Sequence, residues 1–491
     1  MLLVLAATTL AALGQTNSPV NVRQMSLQEC IQLALQHNLD LQIDRYNPKL
    51  ALYTLEGAYG GYDPTLSISG QHSHSESGAQ LLGGGFVIPS STSDDNSFSS
   101  SLSTLLPYGT TFSLQGNTTD TYGNSGGGAF ENSVASASFS IDQPLLKNLW
   151  IDSTRLAIRV ARNRLKYSEL LLQLQVMQIA TTLEQAYYEL IYDRENLVVQ
   201  QKAVELADRL VMENRKKLEV GTLAPLDLQS AEAQAASSRA AVIAADSQLG
   251  TQGRVVKQLI SEQYREWATV DLQPSADLTA SKHNLDVQDS WSKGLTLRPD
   301  YLEAELDVEK QGIQLKYDKN QLYPQLDVFG TYGYNGSGKE FSDALYTVQQ
   351  NSERFYTYGG KITVPLSRIA ARNAYKSDKA TLQQLVLTLK KLEQNIMISI
   401  DNDIASIRSS YDQVQATRTA REYEEAALDA EQKKLENGKS TTYTVLQVQR
   451  DLTTARGNEI QALDTYNKNL SQLSLDEGST LQRLGIDFQV R

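Results

Sequence analysis

Lys216-Lys217-Leu218-Glu219-Val220-Gly221 and Lys433-Lys434-Leu435-Glu436-Asn437-Gly438 are the same signal written twice, 217 positions apart. Each closes a long stretch almost free of Pro and Gly. In each the glycine suits the left-handed residue that follows a helix, and the lysines suit the helix's negative end. A second helix is expected to start just beyond, near Pro225 and near Thr441. The chain therefore carries two helical hairpins with matched tips.

Working back from the second tip, Leu382, Leu385, Leu389, Leu392, Ile396, Ile400, Ile404, Ile407, Tyr411 and Val414 recur at spacings of three and four. Strands cannot hold that period; a coiled-coil-type seam does. At ~1.5 Å per residue the runs Leu145 to Glu219 and Leu366 to Glu436 predict helices of roughly 110 and 105 Å, which need lateral neighbours to bury their seams. Further back the two halves match again. From Asn38-Leu39-Asp40 and from Arg298-Pro299-Asp300, 260 positions apart, a helix-like stretch leads to a proline and an alternating strand: Pro64 before Thr65-Leu66-Ser67-Ile68, and Pro324 before Gln325-Leu326-Asp327-Val328. A Gly/Ser/Asn-rich region follows, then a returning strand ending in Pro144 or Pro365. Proline fixes φ and donates no hydrogen bond, so these four are expected at strand-helix junctions, with Pro144 and Pro365 leading into the first helical turn.

The strands alternate apolar with small polar residues, as in Ser133-Val134-Ala135-Ser136-Ala137-Ser138-Phe139-Ser140-Ile141. That pattern fits a membrane β-barrel wall with lipid on one face and water on the other. Two hairpins give four strands, which cannot close without bare edges, so the subunit must oligomerise. Ser97-Phe98-Ser99-Ser100-Ser101-Leu102-Ser103-Thr104-Leu105, turning through Pro107-Tyr108-Gly109 into Thr110-Thr111-Phe112-Ser113-Leu114-Gln115, adds a candidate third hairpin. Four and six strands per subunit both stay open; cyclic closure as a trimer gives a ring of twelve or eighteen.

The apolar opening run MLLVLAATTLAALG, residues 1–14, reads as a secretory signal peptide, too short to span a bilayer as a helix. Cys30 is the single cysteine, so no internal disulfide is available and a structural role is expected. A net charge of -12 without a basic stripe excludes nucleic acid as a partner. His72 and His74 share a strand face but lack a third ligand near them in sequence, so no metal site is expected. No phosphate loop, nucleophile elbow or Cys/His pair points to an enzyme, and no cofactor is implied.

In this order of elements the chain resembles the outer-membrane efflux protein family typified by TolC; Arg298-Pro299-Asp300, Tyr323-Pro324 and the Gly221 and Gly438 tips carry the resemblance, which covers roughly residues 25–487. It implies a mainly α fold with β: internally duplicated coiled-coil hairpins forming an α-barrel, and strand hairpins contributing to a shared trimeric transmembrane β-barrel. On that plan residues 1–14 are the signal peptide and 15–63 an N-terminal equatorial segment and helix. Residues 64–144 hold the strands of repeat 1, 145–263 its hairpin (tip 220–225), and 264–297 an equatorial linker. Residues 298–323 form the helix of repeat 2, 324–365 its strand hairpin, 366–479 its long hairpin (tip 437–442), and 480–491 a C-terminal equatorial tail.

The resemblance further implies a homotrimeric exit duct in the outer membrane of a Gram-negative bacterium, surrounded there by lipid and with a large periplasmic part. Its partners would be a periplasmic adaptor and an inner-membrane transporter, in an efflux pump or type I secretion system. Val220, Gly221, Thr222 and Leu223 with Asn437, Gly438, Lys439 and Ser440 would dock the adaptor. Asp227, Tyr443, Thr444 and Gln447 would stand at the pore constriction, where Thr444 and Gln447 replace the acidic ring of better-known members and imply weaker cation block. Two other classes compete: a periplasmic coiled-coil adaptor, which carries one such hairpin and not two, and a coiled-coil surface protein, which shows uninterrupted heptads without returning hairpins.

Overall fold

The computed structural model describes residues 21–84, 86–125 and 128–487; the expected signal peptide and the last four residues of the expected tail lie outside them. The chain opens with strand β1 (Asn21–Met25) and helices α1 (Leu27–His37), α2 (Leu39–Asp44) and α3 (Tyr46–Tyr59). Strands β2 (Thr65–Ser77), β3 (Gln80–Leu82), β4 (Phe86–Ile88), β5 (Ser91–Leu105), β6 (Thr111–Ser125) and β7 (Gly128–Pro144) follow, then the hairpin α4 (Ser153–Glu219) and α5 (Pro225–Ile260). After α6 (Tyr264–Trp267), β8 (Val270–Pro274) and α7 (Val287–Leu297), the second repeat runs through α8 (Pro299–Gln321), β9 (Gln325–Gly338), α9 (Phe341–Gln349) and β10 (Glu353–Thr363). It ends with the hairpin α10 (Ile369–Glu436) and α11 (Thr442–Asp476) and the short α12 (Thr480–Arg483).

Two compact units result. One gathers Met1–Tyr46, Leu170–Leu302 and Lys391–Arg491; the other gathers Asn47–Glu169 and Glu303–Lys390. The first is organised by a core in which Leu183 and Tyr187 of α4, Ile260 of α5, Ile396, Ile400 and Ile404 of α10 and Tyr466 of α11 are almost wholly buried. The predicted seam is this core's α10 contribution, and it continues toward the N-terminus as the half-buried Leu382, Leu385 and Leu389. Cys30 lies in the same core, where burial pushes its thiol up to about 12, as a structural cysteine should. β1 and β8 pair in parallel from Asn21↔Val270 to Met25↔Pro274, and the buried Tyr187 hydroxyl ties the pair, donating to the Met25 carbonyl (2.9 Å) and accepting from the Ser275 amide (3.2 Å).

Each repeat begins by docking on the end of its own return helix. Asn38 caps α2, accepting from the Leu41 amide, and its side-chain amide donates to the Leu259 carbonyl near the end of α5. In the second repeat Arg298 holds Asp300 (2.8 Å) and Asp476 (3.0 Å), the last residue of α11. The sequence match of Asn38 with Arg298 is therefore a match of function within the fold, reached with different side chains.

The second unit holds a six-stranded antiparallel sheet in the order β10-β9-β7-β6-β5-β2, which brings the candidate third hairpin into one sheet with the other two. Its register lays out two unlike faces. One row crosses all six strands as Leu66, Leu102, Leu114, Phe139, Tyr332 and Tyr356; the neighbouring row of opposite parity runs Thr65, Ser103, Ser113, Ser140, Thr331 and Thr357. The apolar face ends in a polar ladder, where His72 bonds Asn96 (2.9 Å), His74 bonds Asp94 (2.7 Å) and Ser133 donates to Asp120 (2.6 Å). The two histidines are thus occupied by cross-strand partners. Among the described residues no group of three or more His, Cys, Asp or Glu side chains is placed to hold a metal ion.

Two expectations are corrected here. Pro144 and Pro365 close the sheet without opening the long helices, which begin at Ser153 and Ile369 and not at Leu145 and Leu366. Leu145 still donates to the Leu326 carbonyl, Asn148 takes a positive φ of 66°, and Asp152 caps α4 by accepting from the Arg155 amide (2.7 Å). A carboxylate at the cap satisfies free amides, which Pro144, eight residues earlier, cannot do. The second loop is also not all loop. Its glycines admit α9: a Cβ on Gly336 would lie 2.2 Å from the Ala344 carbonyl oxygen, so only glycine lets the helix rest on β9. There α9 buries Ala344 and sets Phe341 edge-on to Phe98 (6.0 Å), while exposing Phe341, Leu345 and Tyr346 in part on its outer side.

Candidate functional site

Both tips end as the sequence predicts, at Glu219 and Glu436, and both close by the same pair of hydrogen bonds. Gly221 donates to Leu218 and Thr222 to Lys217 (both 2.9 Å); Gly438 donates to Leu435 (3.1 Å) and Lys439 to Lys434 (2.8 Å). Gly221 and Gly438 adopt φ of 75° and 71°, the left-handed conformation this closure requires. The return helices start with Pro225 in the first turn of α5 and with Thr441 capping α11 through the Thr444 amide.

The other expected docking residues divide into two kinds. Thr222 and Asn437 turn inward on their own helices, donating to the carbonyls of Lys217 (3.0 Å) and Lys433 (2.7 Å). Ser440 donates to Glu431, and that bond, reinforced by Lys434, holds the Glu431 carboxyl below the usual carboxylate range. Val220 and Lys439 point out, Val220 being 72 % exposed, and Leu223 is half-buried. Beneath the tips Leu210 of α4 packs with Leu428 of α10 and Val445, Leu446 and Leu452 of α11, so the two hairpins, distant in sequence, share a small core.

Charged pairs lace each hairpin above that core. Arg215 meets Glu232 (2.9 Å) and Arg239 meets Asp208 (2.7 Å) between α4 and α5; Arg421 meets Glu459 (2.5 Å) and Arg456 meets Glu425 (2.7 Å) between α10 and α11. Of the expected constriction residues, Tyr443 and Gln447 are exposed on α11, and Thr444 is half-buried with its hydroxyl 2.9 Å from that of Thr441. Asp227 lies in the first turn of α5 and is half-buried. Among the described residues no hydrogen bond or ion pair joins Asp227, Lys439 and Tyr443 within one chain. The geometry offers two closed hairpin tips on a shared apolar pedestal, exposing Val220 on one and Lys439 on the other.

Sequence reasoning missed two buried charge clusters that brace the core. Glu184 is fully buried, held by both guanidinium nitrogens of Arg483 and by the Tyr188 hydroxyl (3.0 Å). Asp403 lies beside Asp476, which also takes Arg298 and the Ser399 hydroxyl (3.0 Å); burial and the bond with Asp476 push the Asp403 carboxyl up to about 8. The motif Arg298-Pro299-Asp300 was a signal for the second cluster, but its partner lies 178 positions further on.

Known proteins match this arrangement. The family model described as outer membrane efflux protein matches residues 292–475, the heart of the second repeat. Outer membrane protein TolC of Vibrio cholerae is 23 % identical over 298 residues, 59 % of this chain; the match spans 65 % of that relative's length. Among solved structures, the Campylobacter jejuni CmeC outer membrane channel superposes with a TM-score of 0.68 at 14 % identity, covering 92 % of this chain and 86 % of that one. The outer-membrane channel OprN gives 0.69 at 15 % (92 % and 90 %), and VceC of Vibrio cholerae 0.66 at 17 % (94 % and 97 %). The family's model is thus seated on the second repeat and a TolC-like fold runs through both repeats, so the chain is similar to outer membrane efflux proteins in sequence over its second half and in fold throughout.

Proposed function

We propose that this chain is one subunit of a homotrimeric outer-membrane exit duct, a passive channel serving a tripartite efflux pump or a type I secretion system. A periplasmic adaptor docks on the hairpin tips, and an inner-membrane transporter selects the cargo and supplies the energy. The observation that carries this reading is the six-stranded sheet with one apolar face, one hydroxyl face and two unpaired edges, β10 and β2. A sheet with bare edges cannot stand in hydrocarbon, so the edges must pair with those of sister copies. The orientation agrees with that need: β2 and β10 run in opposite directions, so β10 of one copy meets β2 of the next as an antiparallel pair.

The tip residues Val220, Gly221, Thr222 and Leu223, with Asn437, Gly438, Lys439 and Ser440, form the adaptor contact. Asp227, Tyr443, Thr444 and Gln447 line the constriction. The duplicated strand-helix plan favours this duct over a periplasmic adaptor or a surface stalk. The test is fractionation and gel behaviour with an export assay. The duct reading expects heat-resistant trimers in the outer membrane before boiling, and loss of export on deletion of the gene. Recovery as a detergent-independent monomer among soluble periplasmic proteins would sink it.

A further inference from the structure

The hairpin β5–β6 raises the question of whether its strands are wall or ornament, and the register answers it. Going from β2 to β10, the apolar-parity rows read Leu66–Leu102–Leu114–Phe139–Tyr332–Tyr356, then Ile68–Ser100–Gly116–Ala137–Tyr334–Arg354, then Gly70–Phe98–Thr118–Ala135–Gly336. Leu102, Leu114 and Phe98 of the hairpin are 36, 49 and 55 % exposed, in the same range as Tyr332 at 36 % and Leu66 at 64 %. On the other parity the rows read Ser67–Ser101–Gln115–Ser138–Gly333–Phe355 and Ser69–Ser99–Asn117–Ser136–Asn335–Glu353, carrying hydroxyls and amides with Glu353 the one charge. The apolar band spans the rows from Leu326↔Ile362 to Ala135↔Gly336, five steps of two residues, or about 25 Å at a strand tilt of about 40°, the height of a barrel's lipid band. A plug or an extracellular flap has no reason to keep the wall's two-faced parity in register with four other strands.

We propose that all six strands enter the wall, so that the trimer of the preceding reading, on which this inference rests, closes an eighteen-stranded barrel with a wide, hydroxyl-lined bore that carries Asp95, Asp142, Asp327, Glu353 and Lys361 of each copy. Strands about 4.8 Å apart and tilted about 40° give a backbone diameter of about 36 Å for eighteen strands against about 24 Å for twelve. With roughly 5 Å of side chain on each side the bores are about 26 and about 14 Å. A helix with its side chains is about 10–12 Å across, so the narrower ring passes one chain in single file, whereas the wider one passes a helical hairpin about 20 Å across. A folded domain of a hundred residues, with a radius of gyration of about 13 Å, fits neither. The wall therefore sets the upper limit on cargo at a hydrated polypeptide of helical-hairpin size.

The test is cysteine scanning in the native trimer. Cys30 is buried and leaves a silent background. Ser101→Cys and Ser113→Cys on the extra hairpin, with Ser67→Cys on β2 as reference, should react with a charged, water-soluble thiosulfonate at rates within about threefold of one another. Leu102→Cys and Leu114→Cys, like Leu66→Cys, should resist it and, once given a fluorophore in denaturant and refolded, be quenched by brominated lipid. Equal reaction at both parities of β5 and β6, with β2 still alternating, would remove the hairpin from the wall and overturn the proposal while leaving the channel reading standing. Loss of alternation on β2 and β7 as well would overturn both. Polymer exclusion gives an independent arm: ethylene glycol polymers about 20 Å across, added from the outer side in planar bilayers, should enter and lower conductance, and exclusion at about 14 Å would refute the wide bore.

Discussion

Replacing Arg483 with Met strips the partner from a carboxylate that has no access to water. Glu184 on α4 is 0 % exposed, whereas Arg483 on α12 is about one-third exposed at 36 %, and the Tyr188 hydroxyl is the other group bonded to Glu184. Removing one member of a buried pair costs about 3–5 kcal/mol, and water reaching the Arg483 side places this case near the lower figure. Because α12 is only four residues long, with Leu481 in the apolar core beside it, the loss falls on local opening of the C-terminal segment. About 3 kcal/mol is roughly a hundredfold in that opening equilibrium. The assay is hydrogen exchange at the amides of Arg483, Leu484 and Ile486, which donate to Ser479, Thr480 and Leu481. Arg483→Met should speed exchange at positions 484 and 486 about a hundredfold with trimers intact. Adding Glu184→Gln should recover most of the loss, because no charge is then stranded. Exchange within about threefold of the parent, or a double variant worse than the single one, would refute the reasoning.

Asp403 gives a pH dependence with a definite sign. Its folded carboxyl titrates at about 8, far above the ordinary aspartate, so folding takes up a proton between those values. The stability it contributes is full below the unfolded pKa and is lost as pH rises through about 8. Unfolding of the core monitored from pH 5 to 9 should show that decline, and Asp403→Asn should flatten it. Gly438→Ala keeps the closing hydrogen bonds but forces a Cβ into a left-handed residue, costing about 1–2 kcal/mol, read as faster exchange at Lys439. Gly438→Pro also removes the donor to Leu435 and should abolish export while unboiled trimers persist. Gly336→Val should drive α9 off β9 and open residues 341–349 to protease without loss of the trimer.

What the sequence announces, and what it hides, follows from the range of the interactions. The helix ends at Glu219 and Glu436 were legible because a C-terminal closure is local: at each tip a glycine, two preceding lysines and two hydrogen bonds within six residues settle it. The strand faces were legible because alternation is also local, and the third hairpin showed itself through Phe98, Leu102, Phe112 and Leu114. The helix starts were misplaced because proline marks where a ladder ends, while the start at Ser153 depends on Asp152, an unremarkable residue until its carboxylate is seen over the Arg155 amide. β1 and β8 stayed hidden because five-residue parallel strands carry no alternation and are made by the core around Tyr187. Gly336 and Gly338 looked like loop glycines, but their role is close approach by α9. The Glu184 and Asp403 clusters join residues 299 and 73 positions from their partners, and no short pattern reports such pairs.

The residues proposed for the constriction carry the last prediction, because their places on α11 rank them. Thr444 sits in the first turn of α11 with its amide taken by Thr441, so an aspartate there would spend its charge on the free amides of its own helix. Gln447 lies one turn on, exposed, with no such sink. In a three-fold ring, three carboxylates about 6 Å from a divalent cation gain on the order of 2–4 kcal/mol at the dielectric of water after screening, one to three decades in affinity. Gln447→Asp should therefore make the channel sensitive to submillimolar divalent cations where the parent is not, and Thr444→Asp should do so more weakly. Bilayer conductance against added divalent salt measures both. Equal block by the two variants would show that the ring is not set by the α11 geometry, and block of the parent itself would mean that a carboxylate other than these already lines the narrowest point, with Asp227 the first to be replaced by Asn.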